Sequence, residues 1–105
     1  MKYQEVAPAE KYRELVERFW QFQLEQNDPA CIHHVIVPDG ACTLTVVEFK
    51  DGRAPYVSLT GPSDVAIKMD VFAGVRYRGV RIKPGAVKAL LAIDVAVLKG
   101  KIVAL

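Results

Sequence analysis

Apolar and polar residues alternate along much of the chain, which is the period of a β-strand with one face in water. The clearest case is VAIKMDV over 65–71, where apolar residues alternate with Ala66, Lys68 and Asp70. Alternating or β-branched runs bounded by turn residues predict strands at 17–25, 32–37, 41–49, 55–60, 65–71 and 76–83. About six short strands with tight turns favour an antiparallel sandwich or barrel.

Turn residues divide these runs. Pro38, Asp39 and Gly40 stand between 32–37 and 41–49, and they predict a hairpin. Gly61 and Pro62 close the strand at 55–60, and Gly79 inside the last strand indicates a bulge or a close approach of backbone. Hairpin geometry would hold the two cysteines, at positions 31 and 42, too far apart for a disulfide, so we predict that both thiols are free.

The N-terminal segment supports two interpretations. Residues 1–6 are interpreted as a loose lead-in. Pro8 is suited to the first position of a helix over 8–15, where apolar residues follow a period of 3.6. From Glu17 onward the pattern alternates, as in a strand. A single helix over 8–25 is the competing interpretation, and helix propensity alone favours it.

The C-terminal segment changes period. Pro84 and Gly85 precede AVKALLA, so we predict that Pro84 opens a helix. Asp94 is placed to cap a second short helix, VAVLK, which Gly100 would end in the left-handed conformation. The apolar tail IVAL is expected either to pack against the domain or to continue into a longer natural chain.

Composition limits the function classes. The 105 residues are 51% hydrophobic and carry a net charge of +2, which is ordinary for one globular domain and too balanced for nucleic-acid binding by the whole surface. No apolar run approaches the ~18–20 residues of a membrane span. The N-terminus has no secretory pattern, so a cytoplasmic location is expected.

Charge is unevenly distributed along the chain. Residues 1–30 hold six acids, whereas residues 75–105 hold seven basic side chains and one acid. Either the two ends neutralise each other within the fold, or the basic end faces an anion or an acidic partner. Arg76 and Arg78 share one strand face and Arg81 lies on the other. Guanidinium groups bind carboxylates and phosphates, so these arginines could serve either purpose.

The sequence shows no catalytic or metal-binding pattern. His33 and His34 are adjacent and would point to opposite faces of a strand, so they could not bind one metal ion together. We therefore expect no metal, no cofactor and no enzymatic activity. Aromatic residues at strand spacing are typical of a core but could also line an apolar pocket. The candidate ligand contacts are Trp20, Phe22, His34, Tyr56, Arg76 and Arg78.

Several stretches together resemble a known family. LVERFW (15–20), VPDGACTL (37–44), Gly61-Pro62 and GVRIKPGAVKALL (79–91) occur in order and at suitable spacings. They are similar to the uncharacterised N-terminal domain of many bacterial AraC-type transcriptional regulators. The resemblance covers nearly the whole chain. Ala41 stands where that domain usually has Cys or His, and Thr43 stands where it usually has an acid, so an effector that contacts that acid would differ here.

The resemblance implies a regulatory domain that senses a small molecule or mediates homodimerisation. DNA would be bound only by a C-terminal helix-turn-helix module, which residues 84–105 are too short to hold, so we expect a truncated or a stand-alone relative.

The predicted fold is α+β, mostly β: an antiparallel, cupin-like sandwich or partial barrel of about six strands, one N-terminal helix and two short C-terminal helices, in a single domain over 1–105. The motif residues expected to be structural are Pro38, Asp39, Gly40, Gly61, Pro62, Arg81, Pro84 and Gly85.

Three classes of function follow. The first is the effector-sensing or dimerisation domain of a transcriptional regulator. The second is a stand-alone small-molecule-binding barrel or a small cupin-like enzyme. The third is a nucleic-acid binder that uses the strand at 76–83, which strongly salt-dependent binding would indicate.

Overall fold

The chain is mostly β in the computed structural model, which describes residues 2–36 and 41–105. Those residues contain eight strands, one short α-helix, α1 (Val87–Leu91), and two 3₁₀ helices, Glu10–Tyr12 and Val95–Leu98. The strands are β1 (Lys2–Val6), β2 (Val16–Gln23), β3 (Cys31–Ile36), β4 (Cys42–Phe49), β5 (Tyr56–Thr60), β6 (Ile67–Phe72), β7 (Val75–Ile82) and β8 (Ile102–Ala104). No described helix is long and apolar enough to cross a membrane.

The strands form two antiparallel sheets. The larger has six strands in the order β1-β2-β7-β4-β5-β8, so that β7, late in the chain, lies between β2 and β4. The smaller pairs β3 with β6 and is called the ribbon below. Most pairings join distant parts of the chain, and the acidic N-terminal half is thereby placed beside the basic C-terminal half.

The ribbon covers one face of the large sheet. Phe22, Val47 and Tyr77 occupy paired positions on β2, β4 and β7, and they pack against Val71 of the ribbon in one buried cluster. The Tyr77 hydroxyl accepts a hydrogen bond of 3.1 Å from the backbone N–H of Phe72. This satisfies the hydroxyl as a buried polar group and ties the two sheets together.

The opposite face is covered in part by the C-terminal segment. Cys42, Leu59 and Ile82 of the sheet pack against Val87 of α1 and Leu98 of the second 3₁₀ helix. Because side chains alternate along each strand, this cluster and the ribbon cluster lie on opposite faces of the same sheet. The layers are therefore the ribbon, the six-stranded sheet and a short helical segment.

The indole of Trp20 lies directly against the backbone of Gly79. The two residues are paired across β2 and β7, and any Cβ at position 79 would collide with Cε2, Cζ2 and Nε1 of the ring. The close approach expected from the glycine within the strand pattern is confirmed. Trp20 is partly buried and packs against the ribbon-side cluster.

Two predictions for the N-terminal segment were wrong. The expected lead-in at 1–6 is an edge strand, because Lys2–Val6 pairs with β2 although all five residues are exposed. The helix expected at 8–15 is a 3₁₀ helix of three residues, and β2 begins at Val16, which also excludes a helix over 8–25. A β-bulge between Val16 and Arg18 places Val16 and Phe19 on the same face, and this spacing of three imitates a helix.

The predicted hairpin between 32–37 and 41–49 does not form. β3 pairs with β6, and β4 pairs with β7 and β5, so the two strands belong to different sheets. Pro38, Asp39 and Gly40 lie outside the described residues. Cys31 and Cys42 are not joined in a disulfide, as predicted; Cys31 is exposed and Cys42 is buried.

The C-terminal motif residues have structural roles. Ala86 N–H donates to the Lys83 carbonyl (3.0 Å) and Gly85 has φ +85°, so Pro84-Gly85 form a type II turn, and the helix that Pro84 was expected to open begins at Val87. Asp94 caps the second 3₁₀ helix through Ala96 N–H, and Gly100 adopts the predicted left-handed conformation with φ +70°.

The apolar tail packs against the domain as β8, which pairs with β5. Gly61 and Pro62 make this possible. Gly61 N–H donates to the Lys101 carbonyl, and the Pro62 carbonyl accepts from Gly100 N–H (2.7 Å). A Cβ at Gly61 would strike the carbonyl of Leu98, so only glycine allows the C-terminal segment to lie this close.

We predict that Gly79→Ala destabilises the domain by about 1–3 kcal/mol, because the added methyl group overpacks the contact with the Trp20 indole. Chemical denaturation of the wild type and the variant measures the difference. Trp20→Leu removes the ring, so the double variant should lose less stability than the sum of the two single variants. Strict additivity would contradict the proposed contact.

Candidate functional site

A pocket of about 310 Å³ lies on the face of the large sheet that the ribbon does not cover. It crosses four strands, β1, β2, β7 and β4, and adjoins the C-terminal helical segment, because Leu44 and Val80 border both. Trp20 and Gly79 also line it. Ligand pockets commonly enclose ~300–1,000 Å³, so the volume suits a small molecule.

Two rows of paired residues build the pocket. One row is apolar and runs across the strands from Val6 through Phe19 and Val80 to Leu44. The neighbouring row begins with Gln4, Gln21 and Arg78 and ends at Val46. Strand alternation brings all eight side chains to one face, so the pocket has apolar walls with polar groups along one side.

The polar groups of the pocket already have partners. The side-chain Nε2 of Gln21 donates to the side-chain oxygen Oε1 of Gln4. Arg78 donates from Nε to Glu48 Oε1 at 2.6 Å and from a terminal nitrogen to the same oxygen. The arginine charge is therefore balanced by a carboxylate of β4, the neighbouring strand.

Residues 4–104 match the profile of a family described as a domain of unknown function, DUF6597. The chain belongs to this family. The match spans the pocket, the last three residues of β1 and the whole of every other strand. No curated protein and no solved structure matches the chain.

The structure disperses the six candidate ligand contacts. Arg78 lines the pocket with its side chain, and Trp20 borders it from β2 while its indole packs against the ribbon-side cluster. Phe22 and His34 meet on the ribbon side, with ring centroids 6.2 Å apart. Tyr56 is exposed and contacts Phe49, and Arg76 is exposed in the row beyond Arg78. The other lining residues were not among the six candidates, although the alternation along β2 and β7 places Phe19, Gln21 and Val80 at positions of one face.

The histidines point apart, as adjacent strand residues do. His33 Nδ1 hydrogen-bonds Asp70, its cross-strand partner on the exposed side of the ribbon, while His34 stacks on Phe22. Within residues 2–36 and 41–105, no group of three or more His, Cys, Asp or Glu side chains is placed to hold a metal ion.

An ion network joins β1, β2 and β7 at the edge of the large sheet that begins with β1. Arg81 Nε donates to Glu17 Oε2 at 2.9 Å, Arg18 donates to Glu17 and to Glu5, and the Tyr3 hydroxyl donates to Glu5 at 2.6 Å. The hydrogen bond from Arg81, reinforced by Arg18, holds the pKa of Glu17 below its ordinary value. Arg81 thus pairs with the acidic segment, one of the two roles considered for it.

We predict that Glu17→Gln lowers stability by about 0.2–1 kcal/mol at neutral pH, because the pair is partly exposed. A depressed carboxyl pKa stabilises the fold above the ordinary value of 4.5, and this contribution is lost as pH falls through the lower folded value. Urea unfolding of wild type and variant from pH 7 to pH 3 should therefore converge at the acid end.

The matched control is Glu14→Gln, which removes one negative charge from an exposed position in the same segment. It separates loss of the Glu17 contacts from a change in net charge. A difference between wild type and Glu17→Gln that stays constant down to pH 3 would contradict the role given to the ionised carboxylate.

Proposed function

We propose that this chain is the regulatory domain of an AraC-type transcriptional regulator, and that it senses a small molecule and dimerises in the cytoplasm. DNA is bound in this proposal by a helix-turn-helix module outside the chain. The observation that carries it is the pocket across β1, β2, β7 and β4, a concave, largely apolar site on a sheet face that the helical segment leaves partly open. The ordered resemblance of LVERFW, Gly61-Pro62 and GVRIKPGAVKALL supplies the regulator class.

The mechanism requires that the effector binds one of two states more tightly. An effector in the pocket would contact β1, β2, β7 and β4 together. It would therefore favour the state in which these strands are held in one arrangement. In a dimer, that shift would alter how two DNA-binding modules are presented. The two sheets would then form the cupin-like sandwich expected for a sensor of this kind.

A stand-alone small-molecule-binding barrel is the second candidate, since the same pocket supports it. The described lining residues are apolar except for Gln4, Gln21 and Arg78, none of which is a typical nucleophile or general base near neutral pH. This favours binding over catalysis. Reading the genomic sequence downstream of the codon for Leu105 separates the two candidates, because only the regulator requires an in-frame helix-turn-helix.

Dimerisation is tested separately. Size-exclusion chromatography with light scattering should give twice the chain mass of 11.6 kDa. If the chain is a monomer at all accessible concentrations, dimerisation is wrong and only effector sensing remains of the proposal.

We predict that the 105-residue chain alone binds no duplex DNA with sequence preference. Its net charge is only +2, and α1, the α-helix among the described residues, has five residues, too few to serve as a recognition helix in the major groove. Fluorescence anisotropy with specific and scrambled duplexes tests this. Sub-micromolar, sequence-dependent binding would instead support the nucleic-acid-binding class and overturn the regulatory-domain assignment.

A further inference from the structure

The walls of the pocket are apolar and therefore favour a ligand whose main part is apolar. Phe19, Leu44, Val46 and Val80 are each partly exposed there, and Val6 on the edge strand is 62% exposed. An apolar group that fills the pocket removes these surfaces from water, which is favourable in proportion to the area covered.

The charge of Arg78 is already neutralised. Two of its nitrogens donate to one oxygen of Glu48, and the Glu48 side chain is 32% exposed. A ligand carboxylate would have to displace this partner or approach a second negative charge. It would also have to shed its hydration beside apolar walls, which is costly for an unpaired ion.

The remaining polar side chains suit a neutral group. The Gln4 and Gln21 amides contact each other, and together they still offer N–H donors and carbonyl acceptor capacity. Such a pair can accept a hydrogen bond from a hydroxyl or an amide and can donate one to a carbonyl. Arg76, in the next row outward, is exposed and does not line the pocket.

We propose that the pocket takes a small, uncharged molecule with an apolar body and one hydroxyl, carbonyl or amide group, and that the Glu48–Arg78 pair excludes the corresponding carboxylates. The inference rests on the proposed function, since it names the class of effector for the same pocket. Of the two roles considered for Arg78, anion binding and neutralisation within the fold, it assigns the second.

Matched pairs of probes test the charge preference. They are phenylacetamide with phenylacetate, cyclohexanecarboxamide with cyclohexanecarboxylate, and hexanamide with hexanoate. Each is titrated to millimolar concentration into the ¹⁵N-labelled full chain at neutral pH. We expect the backbone amides of Phe19, Val46 and Val80 to shift with at least one neutral probe. We expect its carboxylate to bind at least about tenfold more weakly, a difference of ~1.4 kcal/mol.

Two variants locate and explain the binding. Val46→Phe fills the pocket and should abolish the shifts, whereas Val35→Phe, an equivalent change at an exposed position on the ribbon, should preserve them. Glu48→Gln leaves the guanidinium of Arg78 without this carboxylate. It should raise carboxylate affinity about two- to fivefold, the range of a partly exposed ion pair, while Glu14→Gln, which removes an acid outside the pocket, should not.

The outcomes separate the two proposals. A carboxylate that binds the wild type as tightly as its amide, with shifts at Phe19, Val46 and Val80, overturns the neutral-ligand inference and leaves the sensing pocket intact. A Glu48→Gln variant whose carboxylate affinity is unchanged overturns the exclusion of carboxylates by the Glu48–Arg78 pair and likewise leaves the sensing pocket intact. If no probe shifts these amides, or if Val46→Phe leaves the shifts unchanged, both the ligand class and the pocket as a sensing site are wrong.

Discussion

The contact between Trp20 and Gly79 is the constraint on which the arrangement of the large sheet depends. The indole can lie against β7 only because its cross-strand partner has no side chain. Gly79 is also paired with Thr45 on β4, so the space left by one missing Cβ lies at the centre of the β2-β7-β4 core of the sheet. On one side of these strands the ring extends the cluster beneath the ribbon; on the other, the same strands form the floor of the pocket.

A second glycine sets the limit of the pocket. Gly61 allows the backbone of Leu98 to lie directly over the end of β5, which brings the second 3₁₀ helix down onto Leu59 and Ile82. The helical segment therefore covers only one part of that sheet face, and the part nearer β1 stays open. The shape of the candidate site thus depends on how the C-terminal segment is anchored. Gly61 and Pro62 determine that anchoring, although they do not line the pocket.

The sequence predicted strands better than it predicted their partners. Alternation located β2, β4, β5, β6 and β7 within about two residues, because it reports burial on one face and nothing else. β1 escaped detection because all its residues are exposed and its two apolar residues, Tyr3 and Val6, do not alternate with polar ones. The hairpin prediction failed because a local turn signal cannot reveal that β4 pairs with β7, which begins at Val75, about 25 residues after β4 ends at Phe49. The pocket needed β1 and that distant pairing, so of the residues that border it only Trp20 and Arg78 were anticipated, and the Trp20 indole packs on the ribbon side.

Pairing β2 with β7 also decides what the uneven charge of the chain does. It brings Glu17 of the acidic segment to Arg81 of the basic segment, and pairing β4 with β7 brings Glu48 to Arg78. Two of the arginines that suggested an anion site are thereby used inside the sheet. Neutralisation within the fold therefore accounts for two of the arginines in the basic C-terminal half. Beside Arg78, the uncovered face of the sheet is an apolar surface with two side-chain amide groups. Topology, more than composition, determines which chemistry the pocket can recognise.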